Sequence, residues 1–110
     1  MDVDVSVKMN KEILKHIDDN IAVALEAIGE ECENNAVFEI TAMGAVDTGR
    51  LRGSITHTTD DDAAYVGTNV EYAGYVEFGT SRMPARPYLE NAVANYADEY
   101  KRLFELYINS

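Results

Sequence analysis

Tyr72-Ala-Gly-Tyr-Val-Glu-Phe-Gly-Thr80 leads without a gap into Ser81-Arg-Met-Pro-Ala-Arg-Pro-Tyr-Leu89. The first half is rich in aromatic and β-branched residues. That composition suits a third strand or a partly irregular extended segment over Tyr72 to Phe78. Gly79 breaks it, and Pro84 and Pro87 punctuate the loop that follows. Pro87 fits the first turn of a helix, where its missing N–H leaves nothing unsatisfied. Glu90 then lies near the positive helix end. Beyond it Leu89, Val93, Tyr96, Tyr100, Leu103 and Tyr107 step by four, three, four, three and four. This spacing predicts one continuous seam on a helix about 33 Å long, at 1.5 Å per residue. Phe104 and Ile108 widen it.

The N-terminal half carries the complementary elements. Residues 2–8 alternate: Val3, Val5 and Val7 share one side, with Asp2, Asp4, Ser6 and Lys8 on the other, as in a half-buried strand. Asn10 can cap a helix. Ile13, Leu14, Ile17, Ile21, Leu25, Ile28 and Cys32 then recur at helical spacing, Ala36 and Ile40 extend the stripe, and Gly44 is a natural stop. Ser54 to Thr59 and Ala63 to Thr68 read as two strands joined by Asp60-Asp61-Asp62. The expected fold is therefore α+β, with two long amphipathic helices packed on a small antiparallel β-sheet. Residues 1–110 form a single domain, as the length suggests.

The apolar fraction of 46% argues for a folded chain despite a formal charge of −11. That charge speaks against nonspecific binding to free nucleic acid, which requires a cationic footprint, but it does not exclude DNA passage; no specific nucleic-acid binding is expected. Cys32 is the single cysteine, so no internal disulfide is available. No apolar run approaches the roughly 20 residues of a membrane span, and Met1-Asp-Val-Asp-Val has no secretory character. The expected site of synthesis is the cytoplasm.

Signals for chemistry are sparse. His16 and His57 lack metal-ligand spacing, and the three aspartates lack the alternation and glycine turn of a calcium loop. No phosphate loop, nucleophile elbow or zinc motif occurs. Glu77, flanked by Val76 and Phe78, is the most enzyme-like carboxylate. It would need Tyr72, Tyr75 and His57 nearby to form an acid–base site, and pairing with an arginine is the simpler expectation. No catalytic residue, cofactor, metal or small-molecule substrate is assigned.

The arginines carry more information. Arg50, Arg52, Arg82 and Arg86 are four of nine basic residues, and they fall in two unusual segments of an otherwise acidic chain. Guanidinium groups in such segments suit bidentate contact with carboxylates on another surface. An acidic body beside arginine loops also suits head-to-tail self-association. Tyr65, Tyr72 and Tyr75 are interface candidates for their mixed apolar and polar character. The expected interface set is Asp47, Arg50, Arg52, Tyr72, Tyr75, Glu77, Arg82 and Arg86. Asp60, Asp61 and Asp62 are candidates for a lumen or for a partner-ring face.

Two strings in fixed order resemble one family. The first is Asp47-Thr-Gly-Arg-Leu-Arg-Gly-Ser-Ile55. After Val66-Gly67-Thr68 comes the second, Tyr72 to Thr80, followed by Met83-Pro-Ala-Arg-Pro-Tyr88. Together they resemble the small tail-component proteins of long-tailed bacteriophages, described as minor tail, tail-completion or head–tail joining (neck) proteins. The chain departs from the family's usual pattern at Gly44-Ala45 and Gly74, where prolines are common. The resemblance implies a structural virion protein at the head–tail connection, acting as a ring, in all expectation hexameric, through which DNA passes. Its partners would be copies of itself, the tail tube and head-connector proteins. It would reside in the host cytoplasm during assembly and then at the head–tail junction, with no catalysis. An acidic protein that mimics DNA to inhibit an enzyme is the alternative, although the clustered arginines interrupt the anionic face such a mimic needs. A small hydrolase using Glu77 and His57 is a third reading.

Overall fold

The computed structural model describes residues 3–8, 18–44 and 48–109. The elements run β1 (Val3–Lys8), α1 (Asp18–Met43), α2 (Thr48–Ser54), β2 (Thr56–Thr59), β3 (Ala63–Thr68), α3 (Ala73–Phe78), α4 (Tyr88–Ala94) and α5 (Ala97–Ile108). The sheet has three strands in the order β1-β3-β2, both pairings antiparallel. Val5 lies opposite Val66, and His57 opposite the same residue from the other side. The α+β architecture expected from the sequence is the one found. The expected Asn10 cap and the stripe residues Ile13, Leu14 and Ile17 lie outside the described residues.

The α1 stripe is buried as its spacing dictates: Ile21, Leu25, Ile28, Cys32, Ala36 and Ile40 are all at or below 1% exposure. They pack against β2, β3, α2, α4 and α5, so α1 is the spine of the core. Gly44 ends α1 with a φ of 63°, a left-handed geometry that glycine adopts without steric penalty. Asp60 builds the hairpin turn. Its Oδ1 accepts the N–H groups of Asp62 and Ala63 at 2.8 and 2.9 Å, and its Oδ2 accepts the Tyr65 hydroxyl at 2.9 Å. Asp61 and Asp62 are left pointing to solvent.

Three local expectations are corrected. Ser54 is not in a strand: Thr48–Ser54 is a short helix, with the Ser54 hydroxyl donating back to the Leu51 carbonyl. Leu51 fills the core from it, at 1% exposure.

Tyr72 to Phe78 is likewise not extended. The chain turns through Ala73 N–H to the Val70 carbonyl and enters helix α3. A strand would have put Tyr75 and Glu77 on one side. The helix separates them, with Glu77 at 3% exposure and Tyr75 at 54%. Burial of Ala73, Gly74 and Glu77 outweighs the β propensity of their neighbours.

The closing helix is also broken, into α4 and α5, at Asn95-Tyr96. In a continuous helix the Ala92 carbonyl would accept the Tyr96 N–H. Here it accepts the Tyr100 hydroxyl and, at 3.9 Å, the Cys32 thiol. Asn35 donates to the Tyr100 oxygen at 3.0 Å, completing a buried polar knot between α1, α4 and α5. Burial holds the Tyr100 hydroxyl well above its ordinary pKa and raises that of the Cys32 thiol.

Candidate interaction surface

The loop between α3 and α4 is a closed structure. Gly79 leaves α3 at a φ of 78°, and a Cβ there would lie 2.7 Å from the Ala85 backbone nitrogen. Thr80 N–H donates to the Met83 carbonyl at 2.8 Å, and Arg86 N–H reaches back to the Val76 carbonyl at 2.8 Å. The loop is thereby folded against the helix it leaves. Its two guanidinium groups, on Arg82 and Arg86, make no hydrogen bond or ion pair within the described residues.

Beneath this loop Glu77 is turned inward. Its two oxygens accept the N–H groups of Leu89 and Glu90 at 2.9 and 3.1 Å. These are the second and third residues of α4, whose own N-cap position is Pro87 with no side-chain cap. Glu77 therefore caps α4 from twelve residues upstream. Burial raises its pKa, the two N–H donors act against that, and the charge of Glu90 adds to the rise. The expected arginine partner is thus replaced by backbone amides.

On the opposite side of α3, Tyr75 and Phe78 are 54% and 70% exposed. A spacing of three puts both on one face of the helix. Large apolar side chains so open to water beside free guanidinium groups have the composition of an interface core.

The upstream arginines differ. Arg50 pairs with Glu71 at 3.3 Å, with its guanidinium 5.4 Å from the centre of the Tyr72 ring. Arg52 donates to the Thr41 hydroxyl at 3.4 Å. Asp47 lies outside the described residues. The structure thus brings Tyr75 and Arg82 to the surface, leaves Arg86 half-buried with no guanidinium partner among the described residues, sets exposed Arg50 against half-buried Tyr72, and places Glu77 inside.

His57 is engaged elsewhere. Its Nδ1 is 2.9 Å from Glu33 Oε1 and its Nε2 is 2.6 Å from Glu26 Oε1, both on α1. An ionised carboxylate only accepts, so two such partners favour the doubly protonated, imidazolium form of the ring. Partial burial pulls its pKa down, but the hydrogen bonds it donates to Glu33 and Glu26, with their charges, outweigh this and leave it raised. The ring pins edge strand β2 to α1 at Gly29, where a Cβ would meet the imidazole at 2.9 Å. Glu77 and His57 are thus committed to different partners. A shallow depression of about 280 Å³ lies along β2 and β3, lined by threonines, His57 and Tyr65. Among the described residues no group of three or more His, Cys, Asp or Glu side chains is placed to hold a metal, and no helix is long and apolar enough to cross a membrane.

Phe78 is the contact candidate that sequence reasoning missed. It was legible only as the closing residue of a supposed strand, and its exposure follows from the helix.

A small α+β subunit with its conspicuous acid used as a helix cap, and aromatics and guanidinium groups facing out, has the makings of an assembly component. The sequence profile of the family described as "Bacteriophage HK97-gp10, putative tail-component" matches residues 5–79, more than half of the chain. The protein belongs to this family of bacteriophage tail components. The match contains both Asp47–Ile55 and Tyr72–Gly79; the Met83–Tyr88 string lies beyond it. No curated protein and no solved structure matches the chain.

Proposed function

We propose that this protein is a structural, non-catalytic subunit of the phage head–tail connection, which completes the tail or joins it to the head. It acts there as a ring of copies, six by the family expectation, through which the genome passes. The carrying observation is the exposed Tyr75–Phe78 face beside the unpaired Arg82 and Arg86, on a chain of net charge −11. A cationic, aromatic patch on an acidic body favours contact with another acidic protein surface, and a second copy provides one. Arg50, Arg52, Tyr72 and Asp47 extend this contact region, and Glu77 supports it from within by holding α3 to α4. Asp61 and Asp62, projecting from the hairpin that Asp60 fixes, face the lumen or a partner ring. An anionic wall repels the DNA backbone and lets it slide. The further partners are the tail tube and the head connector, and the protein's final location is the virion neck after assembly in the host cytoplasm.

The test is the mass of the purified protein alone and in the presence of assembled tails, followed by reconstruction of the ring. Ring formation on tails, lost in Arg82→Glu with Arg86→Glu while the subunit melts as before, is the expected result. A subunit that stays monomeric on tails would refute the ring. Aspartates found only on the outer rim would remove the lumen assignment.

A further inference from the structure

Helix α1 carries two stripes. One is the core stripe described above. The other, on the solvent side, is Val23, Ala27, Glu30, Asn34, Phe38 and Thr41, at spacings of four, three, four, four and three. Helical residues at such spacing share one face. Val23 is 53% exposed and Phe38 is 62% exposed, which the subunit's own packing does not explain. Glu30 stands between them with Glu26 and Glu31 alongside, so the stripe is apolar at its ends and acidic in the middle.

We infer that this outer stripe of α1 receives the Tyr75–Phe78 face and the Arg82/Arg86 loop of a second copy. The argument is complementarity of two kinds. The α3 side offers exposed aromatics and unpaired cations; the α1 side offers exposed apolar groups and carboxylates. Phe38 meets Tyr75 or Phe78 as an aromatic pair, and Arg82 or Arg86 meets Glu30. The two patches share no residue, so the contact is head-to-tail and each copy keeps one free half of each kind. Such a contact closes into a ring when the rotation between successive copies allows it. This deepens the ring reading above and rests on it, by naming which surface of the neighbour is engaged.

The experiment uses the full chain assembled on tails. Phe38→Cys and Phe78→Cys are combined in one chain and treated with a short bismaleimide; Cys32 is fully buried and serves as the internal negative control. A ladder of linked subunits is expected, absent from either single variant. In parallel, Glu30→Arg should weaken ring assembly by about tenfold or more, the scale of a charge pair broken in an interface, and Arg86→Glu in the same chain should restore part of it. Rings of normal mass that give no ladder, with Glu30→Arg assembling like wild type, would overturn this docking and leave the ring itself standing. Tails that hold the protein as a single copy would overturn both.

Discussion

Glu77 on α3 accepts the backbone N–H of Leu89 on α4 at 2.9 Å. One carboxylate thus serves as the missing cap of a helix that begins after a proline and a nine-residue loop, Gly79 to Pro87. Removing it by Glu77→Ala leaves the Leu89 and Glu90 donors without that partner and should destabilise the fold by about 2 kcal/mol. Glu77→Gln keeps one accepting oxygen and avoids burying a charge, so its cost should stay within about 1 kcal/mol. Urea unfolding of the two variants separates them; equal losses would show that the charge, not the hydrogen bond, matters.

His57 makes stability depend on pH. Its folded pKa is raised above the ordinary 6.5 by Glu33 and Glu26. The folded state therefore holds the proton more tightly than the unfolded chain. The resulting stabilisation is complete below the unfolded pKa and disappears as pH rises through the raised folded value. Thermal melts from pH 5 to pH 9 (on the order of the imidazole range) should show this loss in the wild type. In His57→Gln the loss should shrink, and a wild-type curve of the same shape as the variant's would contradict the imidazolium bridge.

Gly79→Ala should disturb the arginine loop more than the core. The residue needs a φ of 78°, and its Cβ would press on the Ala85 backbone at 2.7 Å. The expected cost is about 2 kcal/mol, from left-handed strain together with displacement of the loop. Circular dichroism should report intact helices while assembly on tails falls. Full assembly with an unchanged melting temperature would show that the loop's fold is dispensable.

Arg50→Glu with Arg52→Glu is expected to leave the monomer folded. The Arg50–Glu71 pair is 59% and 76% exposed on its two sides, so its loss should cost less than about 1 kcal/mol. Ring formation and particle infectivity should nonetheless drop, since reversal of two charges changes what the surface attracts. Particles that mature normally would confine both arginines to their internal roles.

The long-period patterns were legible because burial alone sets them. The β1 strand, the α1 stripe from Ile21 to Ile40 and the Gly44 stop required no knowledge of tertiary neighbours. Short segments were not. Ala73 to Phe78 has strand-like composition, yet it is helical with Ala73, Gly74 and Glu77 buried, and Glu77 is held inward by backbone N–H groups of a helix more than ten residues away. Residues 88–108 keep a continuous seam in sequence, yet the helix breaks at Asn95-Tyr96, where the Ala92 carbonyl accepts the Tyr100 hydroxyl. Such side-chain intrusions leave no periodic trace. Of the proposed contact residues, Tyr75, Arg82 and Arg86 were visible as an unusual composition in an acidic chain. Phe78 and the outer stripe of α1 required knowing which side of each helix the core had already taken.

The thiol that shares the Ala92 carbonyl with Tyr100 has a further consequence. Cys32 is sealed from water and held protonated, so a soluble disulfide reagent can reach it only when α4 and α5 part from α1. The labelling rate of this lone sulfur is therefore a built-in clock for opening of the helical layer, readable in the free subunit and again in the finished particle. A slower clock in the particle would measure how far packing there tightens the fold.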